Sequence, residues 1–198
     1  MIGTVHAENG KANAAALNSI LNALNPDVIF AEIPPAKILS YINGSHGNLE
    51  SAAVSQYLGN RSVAVVPVDL EEPSEDFFRE SEEMFNKVER TSSVYRRLLV
   101  QHCSDTTNNG FSYLNSDRCE QAWVKIYQET LETVEWIGVP SLRKVYANWT
   151  EMNELRERSM VEKIKTYYSG NTPSHGVLLV GAAHKNALMK KFKVAIGR

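Results

Sequence analysis

The chain has 198 residues, 43% hydrophobic and 22% charged, the proportions of one soluble globular domain with a sizeable core. Its 21 basic residues are mixed among 23 acidic ones for a formal charge of -2, which excludes an electrostatic case for nucleic acid or an anionic membrane. No apolar run reaches the roughly 18 to 20 residues of a bilayer span, and the start lacks the charged-then-apolar order of a signal peptide, so a cytoplasmic location is expected.

Met1-Ile2-Gly3-Thr4-Val5-His6 opens the chain with a short apolar stretch read as a first strand ending on His6. In Ala12 to Leu24 the residues Ala16, Leu17, Ile20, Leu21 and Leu24 recur at helical spacing, and Asn25-Pro26 ends that helix. Val28 to Ile33 is β-branched and aromatic and stops at Pro34-Pro35, the pattern of a buried strand with Glu32 at its carboxyl end. Short helices are predicted over 36 to 42 and 49 to 58, and a third strand over Arg61 to Val68 that finishes on Asp69.

From Pro73 the pattern turns helical. Ser74 caps a helix with Glu75 and Asp76 in its first turn, running to about Gln101. Cys103 to Tyr113, rich in Ser, Asp, Thr, Asn and Gly, is predicted as a loop. Helices follow over about 115 to 136, 141 to 148 and 150 to 168, with a break at Gly138-Val139-Pro140. Gly176 to Gly181 is an apolar, branched run of the kind buried on both faces of a parallel sheet. A last helix is predicted over about 184 to 192. The order is that of a single α/β domain over 1 to 198: a mostly parallel sheet flanked by helices, with a large helical insertion, or lid, at about 74 to 148 between the third and last core strands. Cys103 and Cys119 have no partner motif and read as reduced thiols, and the Asn-x-Ser/Thr triplets at Asn43, Asn60 and Asn148 read as chance matches.

Each of the four strands ends near a side chain capable of chemistry: His6, Glu32, Asp69 and His184. In a parallel sheet all four project from one edge, where open α/β folds place their ligands. Two imidazoles and two carboxylates suit a divalent ion such as manganese, cobalt or zinc, and the same groups without metal can work as acid and base. Any one of them alone is more often a turn or cap residue. Arg156 joins them, because Trp149, Met152, Met160, Ile164 and Tyr167 put it on the inward face of its helix, where it needs an anionic partner such as Glu32, Asp69 or a substrate. Lys163 falls on the same side. His46, His102 and His175 sit in or beside loops and read as surface groups.

Gly3-Thr4-Val5-His6, Glu32, Arg156-Glu157-x-x-Met160 and Gly181-Ala182-Ala183-His184, in this order, resemble the TIKI/TraB family of the erythromycin esterase-like and ChaN-like superfamily. The resemblance implies an α/β core with a helical insertion and a site made by His6, Glu32, Arg156 and His184. Activities in that superfamily range over metal-dependent proteolysis, macrolide ester hydrolysis, haem binding and pheromone shutdown. Two departures stand out: only Met1 and Ile2 precede Gly3, where the family has a longer strand, and Leu70 follows Asp69 where TraB-like members tend to have Arg. The expected function is hydrolysis of a peptide or ester, with His6, Glu32, His184 and Asp69 as candidate metal ligands and Arg156 steadying negative charge. The rival expectation is a protein that binds haem or another small ligand on the same fold without turnover.

Overall fold

The computed structural model describes residues 1 to 59 and 61 to 196; Asn60, Gly197 and Arg198 lie outside the described residues. Strands Ile2–Thr4 (β1), Val28–Ala31 (β2), Ala64–Pro67 (β3) and Gly176–Gly181 (β4) form one all-parallel sheet in the order β1-β4-β2-β3. Ile2 pairs with Leu179, Ile29 with Val177, and Phe30 with Val66. The sheet and the eight α-helices of the described residues make the protein α/β, as its sequence predicts.

Period-two alternation sorts the strand side chains onto two faces. Ile29, Ala31, Val177 and Leu179 point to one cluster, which they share with Leu17 and Leu21 of Ala14–Leu24 (α1) and with Ala53 and Val54 of Leu49–Leu58 (α3). Val28, Phe30, Leu178 and Val180 point the other way, onto Met160 and Ile164 of Pro140–Gly170 (α7) and Leu188 of Lys185–Ile196 (α8). Right-handed crossovers explain the division: α1 and α3 serve moves in one direction across the sheet, whereas the return from β3 to β4 runs in reverse and places its helix on the opposite face. The connections leaving β1 and β2 therefore go to one face and the one leaving β4 goes to the other. That divergence opens a crevice at the carboxyl end of β4.

The remaining helices are Ile38–Ile42 (α2), Glu75–Thr91 (α4), Ser93–Leu114 (α5) and Asp117–Ile137 (α6). Three expectations need correction. The helix predicted to run on to Gln101 breaks at Ser92, whose N–H still closes α4 on Val88 while its hydroxyl accepts from Tyr95 to start α5. The loop predicted over Cys103 to Tyr113 is helix: Thr106, Asn108 and Asn109 turn their polar ends back onto carbonyls four residues earlier. Buried Phe111, Tyr113 and Leu114 supply the packing that outweighs the polar composition. Its one kink is at Gly110, with φ of 55°, where a Cβ would stand 2.6 Å from the Lys11 carbonyl oxygen. Finally, the two helices predicted at 141 to 148 and 150 to 168 are the single α7. The predicted break ahead of it holds, with Gly138 left-handed at the end of α6 and Pro140 opening the new helix.

β1 is an edge strand, and its free edge is closed by one side chain. The Asn115 carboxamide accepts from Gly3 N–H at 2.8 Å and donates to Gly3 C=O at 3.2 Å, imitating a neighbouring strand. Replacing Asn115 with Leu removes both bonds and is expected to lower stability by about 1–3 kcal/mol, read by chemical denaturation.

Candidate active site

The backbone ladder continues past the ends of the strands and seats the site. Glu32 N–H donates to Leu179 O, Asp69 N–H to Ile33 O and Ala182 N–H to Thr4 O, so the four strand ends are locked together just where the charged residues begin. Arg156 of α7 lies across them. Its Nε donates to both Asp69 oxygens at 3.1 Å, and its Nη2 donates to Asp69 Oδ2 at 2.6 Å and Glu32 Oε1 at 2.7 Å. Glu32 Oε2 accepts from Gly181 N–H at 2.6 Å and Asp69 Oδ1 from Leu70 N–H at 2.8 Å. The Lys163 ammonium donates to the Asp69 carbonyl. The two carboxylate side chains are 6% and 7% exposed and that of Arg156 25%, so water screens the cluster weakly. Burial works against the charge on Arg156, but the bonds to Asp69 and Glu32 outweigh it and raise its pKa. Its Nη1 has no hydrogen-bond partner among the described residues.

His184 approaches the same carboxylate from α8. His184 N–H bonds Gly181 O at 2.9 Å, a tight turn that swings the imidazole back over the strand end. Its Nδ1 stands 2.9 Å from Glu157 Oε1 and its Nε2 3.5 Å from Glu32 Oε1. Burial alone would raise the Glu157 pKa, yet the hydrogen bonds from His184 and Lys191 hold it below the ordinary carboxylate range. An ionised Glu157 only accepts, so Nδ1 carries a hydrogen and, in the neutral ring, Nε2 is left as a base. Lys191 completes the chain, with Nζ 2.9 Å from Glu157 Oε2 and 2.7 Å from Glu154 Oε2.

His6 is placed differently. Its side chain is 68% exposed, with Nδ1 3.4 Å from Oε1 of Glu50, a buried glutamate on α3 that also accepts from the Thr4 hydroxyl at 2.7 Å. The Glu50 hydrogen bond raises the His6 pKa against the effect of burial. Glu50 Oε2 is buried without a hydrogen-bond partner.

A cavity of about 460 Å³ opens on this edge, lined by His6, Glu32, Asp69 and Arg156 below and by Phe77, Phe78, Trp149 and Met152 above. A smaller one of about 180 Å³ holds His184, Glu157, Tyr127 and Tyr146, and the two share Trp149 and Asn153 in their walls. Glu32, Asp69, Arg156 and His184 thus form one connected cluster, with His6 on the rim of the larger cavity. Glu32 Oε1 and His184 Nε2 stand at a separation two ligands of one ion can have. Among the described residues no group of three or more His, Cys, Asp or Glu side chains is arranged to hold a metal, and the carboxylates here are engaged with Arg156. These residues do not fit a protein-held divalent ion as they stand.

The other histidines diverge. His175 is exposed, His46 reaches the larger cavity, and His102 is half-buried, bonding Tyr113 Oη at 2.9 Å and packing edge-on against Trp123. Both cysteines are free thiols; burial pushes Cys119 up to about 11, while Cys103 is exposed. Sequence reasoning assigned no role to Glu157, Glu50 or Lys191. Glu157 had a signal, since it follows Arg156 only a hundred degrees round an inward-facing helix. Glu50 had none, because an acid two residues after the N-cap Asn48 is what an ordinary helix start displays.

The fold and the cluster define an α/β protein with a buried ionic site on the carboxyl edge of its sheet. Compared with known proteins, the chain matches no protein-family model, no curated protein and no solved structure. Among the described residues no helix is long and apolar enough to cross a membrane.

Because the folded pKa of Glu157 is depressed, its contribution to stability is present above the ordinary glutamate value and is lost as pH falls through the folded one. Denaturant titrations from neutral pH into this acid window should show Glu157→Gln with a shallower loss of stability than the parent protein. Equal slopes would mean that the His184 and Lys191 bonds do not hold Glu157 ionised.

Proposed function

We propose that the protein hydrolyses an ester or peptide bond at this site by acid–base chemistry, as its resemblance to TIKI/TraB proteins also suggests. The observation that carries the reading is the line of buried Glu157, the His184 ring and Glu32, with Arg156 at its end. The ring is held at Nδ1 by buried Glu157 and stands with Nε2 beside Glu32, which itself lines the larger cavity, so the pair can pass a proton between the ring and a water there. In this scheme the Glu32–His184 pair takes one proton from a water in the cleft, and the hydroxide adds to the substrate carbonyl carbon. The carbonyl oxygen gains the negative charge, and Arg156 Nη1 is the donor free to receive it. When the tetrahedral species collapses, the proton returns to the departing alkoxide or amine. His6, exposed on the rim and inclined to be protonated, is the second group able to donate to the substrate.

A panel of N-acetyl amino acid methyl esters and short peptides, assayed with and without chelator, tests the proposal. Turnover should survive chelation and fall about 10²–10⁴-fold in His184→Ala, with a smaller loss in Glu157→Gln, whose amide can donate to Nδ1 and favour the wrong tautomer. Activity abolished by chelator and restored by manganese, cobalt or zinc would overturn the metal-free scheme in favour of a metal-dependent one. Cleavage of no ester or peptide, together with a Soret band on adding haem, would turn the reading to ligand binding.

A further inference from the structure

The larger cavity is two-sided in chemistry. Its lining combines the ionic cluster on the sheet edge with aromatic and thioether side chains of α4 and α7. Phe77 and Phe78 are consecutive on α4, and Phe78 is 52% exposed. The two rings, about 100° apart round the helix, pack edge to face at 5.8 Å and 81°, and both line the cavity. Trp149, which also lines the cavity, is fixed by an edge-to-face contact with Phe85 at 5.1 Å and 84°. Met152, one turn beyond Trp149 on α7, extends the apolar surface. An exposed phenylalanine beside packed aromatic rings, in a cavity that also holds an ionic cluster, is a platform for a large apolar group next to a reacting one.

The electrostatics of the mouth narrow the choice. Glu32 and Asp69 share the one guanidinium of Arg156, and Glu71 and Glu72, in the segment that leads from Asp69 to α4, are exposed and line the same cavity, so its lining carries four carboxylates against Arg156 and the rim imidazole of His6. Lys37 stands 3.7 Å from Glu72 only, in an exposed pair that water screens. A substrate with its own carboxylate near the scissile bond meets uncompensated negative charge there, while a neutral or cationic one does not.

From this cavity we infer the substrate class: the site accepts an acyl or peptidyl group bearing a large aromatic or aliphatic side chain beside the scissile carbonyl and excludes one bearing an acidic side chain, with Phe78 as the main specificity-determining residue. The inference rests on the hydrolytic reading above, so its test has a binding arm that needs no turnover. In that arm N-acetyl-phenylalaninol, N-acetyl-alaninol and the glutamate-derived alcohol, which have no bond to hydrolyse, are titrated while tryptophan fluorescence is followed. In the other arm kcat/KM is measured for the corresponding methyl esters.

Phenylalanine derivatives should be preferred over alanine derivatives by about tenfold or more, and Phe78→Ala should lower that ratio about tenfold. Phe78→Leu, which keeps an apolar contact, should fall between, and a thermal melt of each variant confirms that it is folded. The glutamate derivative should be the poorest, and Glu71→Gln combined with Glu72→Gln should improve it relative to the phenylalanine one. Equal handling of phenylalanine and alanine derivatives, or a ratio unmoved by Phe78→Ala, would overturn the assignment while leaving hydrolysis intact. Selective binding of N-acetyl-phenylalaninol that Phe78→Ala weakens, with no ester cleaved, would sustain the recognition and remove the hydrolytic reading.

Discussion

The pairing of one guanidinium with two carboxylates on neighbouring strand ends is the constraint on which the rest of this molecule depends. Glu32 and Asp69 sit side by side at the carboxyl ends of β2 and β3, almost out of reach of water, where two like charges cannot stand without a cation between them. Arg156 supplies it, and its planar fork fixes the rotation of α7 against the sheet edge as apolar contacts alone would not. Once α7 is fixed, Glu157 can only face α8, and His184 and Lys191 come to meet it. One helix thus carries, on consecutive residues, the partner of the strand carboxylates and the partner of the histidine.

Two turns of the same spacing, Gly3 to His6 and Gly181 to His184, lead to different environments. After β4 the chain goes straight into α8, and the bond from His184 N–H to Gly181 folds the ring onto Glu32 with its side chain 12% exposed. After β1 it wanders through a polar loop before α1, so the His6 ring stays on the rim beside Glu50, while its carbonyl accepts from Leu49 N–H. The buried ring sits between two carboxylates, while the exposed one has a single partner and open solvent. The two rings therefore differ both in burial and in the number of carboxylates beside them.

Much of this could be read from the residues in order. The four strands announced themselves by β-branched runs that end on Gly, Pro or a charged residue, and the parallel arrangement followed from the helices between them. Glu32, Asp69, Arg156 and His184 were legible as a group because strand ends converge in such a sheet and because an arginine among Trp149, Met152 and Met160 has to find an anion. Less legible were features decided by contacts distant in sequence. The segment from Cys103 to Tyr113 is helical because Phe111, Tyr113 and Leu114 find a core to enter, which no local composition announces. Glu50 carries no local signal, because nothing at a helix start announces that Thr4 and His6 will lie against it. The strand order was also hidden, since spacing along the chain does not say that β4 enters between β1 and β2.

That order makes the sheet a late construction. β1 has no partner among the first three strands: β2 lies two positions away, and the gap is filled only by Gly176 to Gly181. Until then the first strand can be held only by its helical neighbours and by the clasp from Asn115, more than a hundred residues downstream. The closing event joins Ile2 to Leu179, across nearly the whole chain, with the loop-closure entropy such a contact entails. The same insertion brings Gly181 N–H to Glu32 and His184 to Glu157. The chemistry of this edge and the completion of the fold are therefore one step, and a chain that has not finished folding has no site to expose.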